Sequence, residues 1–166
     1  IMKALSLNKK GFYLCTIHRA ENTDNVKRLS LLCDALNMTA SQDIPIIFPL
    51  HPRTRLSLEK FGLWENIKKN PYIRLTEPLG FLDMVLLEKN ASCILTDSGG
   101  VQKEAYFHRT PCITLRKETE WVETIASGWN QLADVSPECI IKCLKKHPIR
   151  HEIDEYGDGR TAYKII

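Results

Sequence analysis

ILTDSGGVQKEA, residues 94–105, is the stretch of this sequence that decides the fold. Residues 93–95 are apolar and predict a buried strand, which breaks at a Thr-Asp-Ser-Gly-Gly turn into a helix that begins near Val101. A strand that turns directly into a helix leaves several backbone N–H groups without intrahelical partners, at the positive end of the helix dipole. The turn is therefore predicted to attract an anion, most naturally a phosphate group.

The residues of this turn suit a phosphorylated ligand. Gly99 and Gly100 have no Cβ and let the backbone approach a phosphate closely, while Ser98 adds a hydroxyl donor. One helical turn later, the carboxylate of Glu104 can accept hydrogen bonds from two sugar hydroxyls, so the combination predicts a ribose diphosphate and hence a nucleotide. Taken alone, the stretch is equally compatible with a tight turn and a helix N-cap. It is neither a Walker loop nor a dinucleotide fingerprint.

The composition is typical of one soluble globular domain. The 166 residues are 43% hydrophobic and 26% charged, and a net charge of +3 without long basic runs argues against nucleic-acid binding. No apolar run of about 18 residues and no signal peptide is found, so we expect neither membrane insertion nor secretion. Six cysteines without a CxxC pair predict reduced thiols and a cytoplasmic location. Because Ile1 precedes Met2 and residues 1–10 resemble the end of a helix, we expect a longer parent chain.

Six strand patterns alternate with helix patterns along the chain. The predicted strands are residues 11–17, 44–50, 73–75, 93–95, 111–115 and 131–133. The predicted helices are residues 26–36 with a cap at Thr23 or Asp24, 53–60, 81–89, the helix near Val101, 120–126, and 137–146 with a cap at Ser136. A glycine-flanked turn and a final helix are predicted in residues 156–166.

This alternation predicts an α/β fold, a Rossmann-like doubly wound parallel sheet with helices on both faces. In such sheets, ligands bind beyond the carboxyl ends of the strands, where the strand order reverses. Polar or glycine-rich clusters follow the first five strands at this edge, here called the carboxyl edge: His18-Arg19, His51, Leu79-Gly80, Ser98–Gly100 and Arg116. Because these clusters share one edge, they predict one ligand site.

Five motifs make the chain recognisable as a whole. They are HRAEN (18–22), EPLGFLDMV (77–85), TDSGGVQKEA (96–105), TEWVE (119–123) and YGDG (156–159). In this order and spacing they resemble the signature of the non-hydrolysing UDP-N-acetylglucosamine 2-epimerases. The resemblance implies a glycosyltransferase-B-type architecture, in which two Rossmann-like domains face each other across a cleft. Residues 1–166 resemble only the second, C-terminal, UDP-binding domain, so the N-terminal domain is expected to lie outside this chain.

The resemblance assigns roles to residues of the carboxyl edge. The glycine turn is implied to hold the phosphates of UDP, and Glu104 its ribose. The backbone of Leu79 and the side chain of Met84 fall where the family holds the uracil. The counterpart of His18 faces the diphosphate, and that of Arg19 lies near a second, regulatory UDP-sugar in bacterial members. The implied UDP-binding residues are therefore His18, Arg19, Leu79, Met84, Ser98, Gly99, Gly100 and Glu104.

The family's activity is that of an isomerase. UDP leaves by anti elimination to give a 2-acetamidoglucal, and it adds back with inverted C2 to give the N-acetylmannosamine epimer. His18 is the candidate catalytic residue of this chain, because the principal proton-transferring carboxylates of the family lie in the first domain. Neither a metal nor NAD is expected, and the full-length enzyme is expected to be a homodimer. General-base catalysis needs a positioned base, so the isolated chain is expected to bind UDP weakly and not to epimerise.

Several positions leave the identity of the substrate open. Trp121 stands where the common bacterial pattern has an Arg, and Met84 replaces a Phe. These differences look more like the branch that contains UDP-2,3-diacetamido-2,3-dideoxyglucuronate 2-epimerases. The C-terminal half of a glycosyltransferase and a non-catalytic UDP-binding module are the other candidates. The roles of Trp121 and His51 stay open, and Asp97 is expected to accept hydrogen bonds within its own turn.

Overall fold

A six-stranded, entirely parallel sheet forms the centre of the protein. The computed structural model describes residues 1–153, 156, 157, 160, 162 and 163, so the tail turn and final helix predicted for residues 156–166 rest mostly on residues outside those described. The strand order is β3-β2-β1-β4-β5-β6. The strands are β1 (Tyr13–Thr16), β2 (Ile46–Pro49), β3 (Ile73–Thr76), β4 (Cys93–Thr96), β5 (Cys112–Thr114) and β6 (Asn130–Leu132). Each overlaps its predicted range, and the doubly wound parallel sheet is confirmed.

Helices connect and flank these strands. They are α1 (Ala20–Thr23), α2 (Val26–Thr39), α3 (Pro52–Lys60), α4 (Trp64–Lys68), α5 (Phe81–Asn90), α6 (Gly99–Phe107), α7 (Val122–Ala126) and α8 (Pro137–Lys145). The cap at Ser136 is confirmed, since its side chain accepts a hydrogen bond from the backbone N–H of Cys139. Helices α1 and α4 were not predicted, because four and five residues are too few to show a helical period. No described helix is long and apolar enough to cross a bilayer.

Three predicted helix starts differ from the structure, and the simplest case is α7, which begins at Val122 rather than at residue 120. Helix α2 is capped by Asn25, whose side chain accepts from the backbone N–H of Arg28, and not by Thr23 or Asp24. The Thr23 hydroxyl instead donates to the Arg19 carbonyl, and Asp24 forms an ion pair with Arg53 of α3. Helix α6 begins at Gly99 rather than near Val101. Its first two residues are thus the two glycines, whose N–H groups belong to the unpaired first turn.

The two faces of the sheet carry separate cores. Alternate strand residues point to opposite faces, so Leu14 and Ile94 pack with Leu87 of α5, while Cys15 and Leu95 pack on the other face. The face that carries Cys15 and Leu95 is covered by helices α2, α3, α4 and α8. Every strand of the sheet except the edge strands is buried along its whole length or all but its first residue, as expected for a parallel sheet covered on both sides.

The order of the strands reverses between β1 and β4. The chain moves from β1 through β2 to β3 on one side and from β4 through β5 to β6 on the other. The last residues of the two central strands, Thr16 and Thr96, are paired in register, and their hydroxyl groups are 2.6 Å apart. The loops that follow these strands therefore diverge from one point, and a crevice opens at the carboxyl edge between them.

Candidate functional site

Asp97, directly after β4, connects the loops that follow β1 and β4 through hydrogen bonds. Its carboxylate is fully buried and accepts the backbone N–H groups of His18 and Arg19, each at 3.0 Å. It also accepts from the side-chain amide of Asn22 at 3.0 Å. The expectation that Asp97 bonds within its own turn is therefore wrong about the partners, which belong to the loop after β1. These charge-assisted bonds fix the His18-Arg19 loop against the start of α6.

The N-terminus of α6 opens toward the carboxyl edge. Ser98 caps the helix by accepting the N–H of Val101 at 3.4 Å, which leaves the N–H groups of Gly99 and Gly100 without intrahelical partners. Ser98 is half-buried, Gly99 is buried and Gly100 is exposed. A Cβ added at Gly100 would meet only the Ser98 hydroxyl, at 3.9 Å. The space in front of the second glycine can therefore admit an anion.

Charged side chains from two other loops cover Gly99. A Cβ added there would lie 2.9 Å from Oε1 of Glu120 and 3.5 Å from Nη2 of Arg19. Glu120 in turn lies 3.6 Å from Arg19 and 2.8 Å from Nη1 of Arg116. A hydrogen bond to its own backbone lowers the pKa of Glu120, and the guanidinium groups of Arg116 and Arg19 lower it further. Partial burial raises this pKa but does not outweigh these effects. An anionic oxygen thus already lies among the helix N-terminus and two arginines.

Trp121 borders the same place. Its indole Nε1 is buried, makes no hydrogen bond within the described part of the chain, and would lie 3.3 Å from a Cβ on Gly99. The ammonium group of Lys103 lies over the indole, 4.3 Å from the ring centroid. Trp121 therefore presents one N–H donor to the N-terminus of α6 and carries a cation on the face of its ring.

His18 and His51 form a pair of rings on the other side of the α6 N-terminus. Their centroids are 5.5 Å apart. Burial lowers the pKa of His18, the neighbouring His51 and Arg19 lower it further, and Asp97, 3.6 Å from Nδ1, opposes this. His18 is therefore mainly neutral at pH 7. His51 caps α3, because its Nδ1 accepts the backbone N–H of Arg53 at 3.2 Å, so its own proton lies on Nε2.

A small apolar pocket lies between these rings and α5. Its volume is about 180 Å³, and Leu79, Met84 and Val101 line it together with His18 and His51. The pocket is continuous with the first turn of α6 through Val101. A groove of about 720 Å³ lies between α2 and α8, but none of the predicted site residues lines it. The smaller pocket is the one that adjoins the anion site.

Glu104 lies one turn along α6 and contacts a residue that the sequence did not reveal. Glu104 is half-buried, and its carboxyl group hydrogen-bonds to that of Glu88 on α5, whose side chain is only 2% exposed. Burial raises the pKa of Glu88 to about 8, and the charge of Glu104 adds to this effect. Glu88 is therefore protonated at neutral pH. A Glu in the run FLDMVLLEKN reads as a solvated helix residue, so its burial was not predictable.

The structure thus places seven of the eight predicted site residues around the first turn of α6, and it places Glu104 one turn further along the same helix. The anion site, the apolar pocket and Glu104 all adjoin the first two turns of α6. Within the described part of the chain, no group of three or more His, Cys, Asp or Glu side chains could hold a metal ion. All six cysteines lie in this part and none forms a disulfide. The fold and the site together define a Rossmann-like domain with an anion site and an apolar pocket at its carboxyl edge.

Comparison with known proteins identifies the family. The sequence profile of the UDP-N-acetylglucosamine 2-epimerases matches residues 1–166, and the chain belongs to this family. It is 46% identical over 168 residues to a UDP-N-acetylglucosamine 2-epimerase homolog from Methanococcus maripaludis, covering 100% of this chain and 46% of that protein. It is also 38% identical to the UDP-2,3-diacetamido-2,3-dideoxy-D-glucuronate 2-epimerase of Pseudomonas aeruginosa, covering 95% of this chain and 44% of that one.

Solved structures agree with the fold. The crystal structure of the Methanocaldococcus jannaschii UDP-GlcNAc 2-epimerase in complex with UDP-GlcNAc and UDP matches with a TM-score of 0.82 and 41% identity. The match covers 93% of this chain and 43% of that one. An Escherichia coli heptosyltransferase, only 8% identical at a TM-score of 0.59, shares the fold alone. The protein thus has the Rossmann-like fold of one half of the glycosyltransferase-B type, and it spans about half the length of its curated relatives.

Proposed function

We propose that this chain is the UDP-binding half of a nucleotide-sugar 2-epimerase that converts UDP-N-acetylglucosamine to UDP-N-acetylmannosamine. The observation that carries the proposal is the position of Ser98–Gly100. This turn opens at the carboxyl edge beside Arg19, and the 180 Å³ apolar pocket adjoins it. An anion site next to a pocket of this size suits a pyrimidine nucleotide diphosphate. The family membership of the whole chain supports the same ligand.

The site divides among the parts of UDP. The N–H groups of Gly99 and Gly100, with the Ser98 hydroxyl, would hold the diphosphate, and Arg19 would exchange Glu120 for a phosphate oxygen. The uracil would occupy the pocket against Leu79 and Met84. The ribose would then lie along α6, where its hydroxyls can donate to the carboxylate of Glu104.

The chemistry follows from what this half can stabilise. Loss of the C2 proton and of UDP from C1 forms the C1–C2 double bond of a 2-acetamidoglucal, and re-addition of UDP with a proton at the opposite face of C2 inverts that centre. The helix N-terminus and Arg19 would stabilise the charge that develops on the departing diphosphate. His18, mainly neutral and close to Asp97, is the catalytic candidate on this side, since it could donate from a ring nitrogen toward the leaving phosphate.

The rest of the machinery would come from a second Rossmann-like domain. The curated relatives are about twice as long as this chain, which fits a two-domain enzyme whose other half supplies the proton-transferring carboxylates. We further propose that the complete enzyme acts in the cytoplasm as a homodimer. The reaction is redox-neutral and needs no hydride carrier, and the cationic groups already present would meet the charge of the diphosphate without a metal ion.

Two measurements test this proposal. Isothermal titration calorimetry with UDP should give weak, saturable binding, with UMP binding more weakly because it lacks the second phosphate. A coupled epimerase assay on the chain alone should give no turnover, and turnover should appear when a complementary N-terminal half is added. The absence of UDP binding, or turnover by the chain alone near that of a full-length relative, would contradict the proposal.

A related sugar is the second candidate substrate. The similarity to the Pseudomonas aeruginosa UDP-2,3-diacetamido-2,3-dideoxy-D-glucuronate 2-epimerase supports it, as does the expectation that Trp121 replaces an Arg of the common bacterial pattern. Product analysis with the complemented enzyme would separate the candidates. Epimerisation of UDP-N-acetylglucosamine without an acceptor supports the first substrate and excludes a glycosyltransferase, whereas turnover of the diacetamido glucuronate alone supports the second.

A further inference from the structure

Glu88 is a buried carboxyl group outside the residues so far given a role. It lies on the inner side of α5 with 2% of its side chain exposed, and its carboxyl hydrogen-bonds to Glu104 of α6. Its Oε2 accepts no hydrogen bond from any residue of the described chain and lies 3.7 Å from Nε2 of His108. Two carboxyl groups can share a hydrogen bond only when one of them carries the proton. The buried partner, Glu88, is therefore the donor.

The charged neighbours of Glu88 do not reverse this assignment. Burial is the largest cause that raises the pKa of Glu88, to about 8, and Glu104 is the next. Burial lowers the pKa of His108 and outweighs the charge of Glu104, which raises it, so this ring is mainly neutral at pH 7 and does not supply a full counter-charge. Lys10 and Lys89 act on His108 in the same direction. Cys112 of β5, beneath α5, is a thiol whose own pKa is raised by burial.

We propose that Glu88 is a positioning residue, which in its protonated form holds the carboxylate of Glu104 in place to receive the two ribose hydroxyls of UDP. This inference rests on the proposed function, because it assigns Glu104 to the ribose. A Glu side chain on a helix surface has several rotamers, and a hydrogen bond from a buried donor selects among them. Preorganisation of this kind raises affinity by lowering the entropy lost on binding.

The arrangement makes ribose recognition sensitive to pH. Glu88 keeps its proton below a pH of about 8 and loses it above this value. When it ionises, Glu104 loses a donor and faces a like charge at short range, so its carboxylate turns away. The affinity for UDP should then fall as the pH rises through 8, while the affinity for a ligand without ribose hydroxyls should not.

The test compares UDP with 2′,3′-dideoxy-UDP by isothermal titration calorimetry at about pH 7 and about pH 9. The proteins are the wild type, Glu88→Gln, which keeps an N–H donor but cannot titrate, and Glu88→Met, which has no donor. The dideoxy analogue carries the same uracil and diphosphate, so it reports any titration of the ligand itself. Circular dichroism and thermal melts establish that each variant is folded.

The expected results are specific to each protein. Wild type should lose about 5- to 10-fold in UDP affinity relative to the analogue between the two pH values. Glu88→Gln should bind UDP as wild type does at pH 7 and show no such loss. Glu88→Met should bind UDP about 5-fold more weakly at pH 7, without pH dependence, and bind the analogue normally.

The failures of the two proposals are distinguishable. If wild type binds neither ligand, the proposed function fails. If wild type binds UDP but does not prefer it over the analogue, or if Glu88→Met matches wild type at pH 7, the role of Glu88 is overturned while UDP binding stands. The same holds if the pH dependence persists in Glu88→Gln. Should Glu88→Met not fold, the comparison of wild type with Glu88→Gln decides the question through the pH dependence alone.

Discussion

Replacing Gly99 with Ala should weaken UDP binding without unfolding the protein. The added Cβ would lie 2.9 Å from Oε1 of Glu120, 3.3 Å from Nε1 of Trp121 and 3.5 Å from Nη2 of Arg19. The first distance is shorter than real Cβ contacts, so Glu120 must move, and the methyl group then fills the space between the helix N-terminus and Arg19. Loss of one charge-assisted hydrogen bond to a phosphate costs about 1.5–3 kcal/mol. The affinity for UDP should therefore fall roughly 10- to 100-fold.

The effect of Gly99→Ala on the stability of the folded protein should be small. Ala is favoured over Gly inside a helix by about 1 kcal/mol, which offsets the displacement of the flexible Glu120 side chain. Urea unfolding should thus change by no more than about 1 kcal/mol. Gly80→Ala is the matched control for stability alone, since nothing lies within 4 Å of its added Cβ and its φ of −68° suits Ala. Calorimetry that shows wild-type UDP affinity in a folded Gly99→Ala variant would refute the placement of the diphosphate.

Three further predictions test other parts of the site. Asp97→Asn places an amide against three N–H donors, so urea unfolding should show a loss of about 2–4 kcal/mol, and wild-type stability would contradict its role in joining the two loops. Met84→Ala should weaken UDP binding about 5-fold and leave pyrophosphate binding unchanged in competition titrations, whereas an equal effect on both would place the uracil elsewhere. Between pH 4.5 and about 8, Glu88 keeps its proton in the folded protein but loses it in the unfolded chain. The free energy of unfolding of the wild type should therefore decline across this pH range relative to that of Glu88→Met. If the two proteins show parallel profiles of unfolding free energy against pH in urea titrations, the pKa of Glu88 is not raised.

Much of the fold could be predicted because its signals are local. The strands are short apolar runs that end at Gly, Pro or charged residues, and alternation with helices is enough to predict a parallel sheet. The clusters at the carboxyl edge were predictable for the same reason, since every parallel strand ends on one side. The N-cap of α2 could not be predicted, because the side chains of Thr23, Asp24 and Asn25 can all cap a helix. The choice among them depends on Arg53, which engages the first two from another helix.

The contacts within the site depend on tertiary packing and could not be predicted. Asp97 accepts from residues 78 and 79 positions away in the chain, and no local pattern marks that pairing. Glu120 reaches the start of α6 only because the loop after β5 folds back over Gly99. The burial of Glu88 depends on how α6 packs on α5. Sequence patterns placed the backbone of the site, and packing determined which side chains surround it.

The most direct test of the central claim is a ¹⁵N-resolved NMR titration of the chain with UDP. If the N-terminus of α6 holds the diphosphate, the amide resonances of Gly99 and Gly100 should show the largest saturable shifts. The amides that end α8, beside the first residues of β1 and β4, should stay unchanged. Saturable UDP binding that leaves both glycine amides unmoved, or shifts that centre on another helix, would contradict the account.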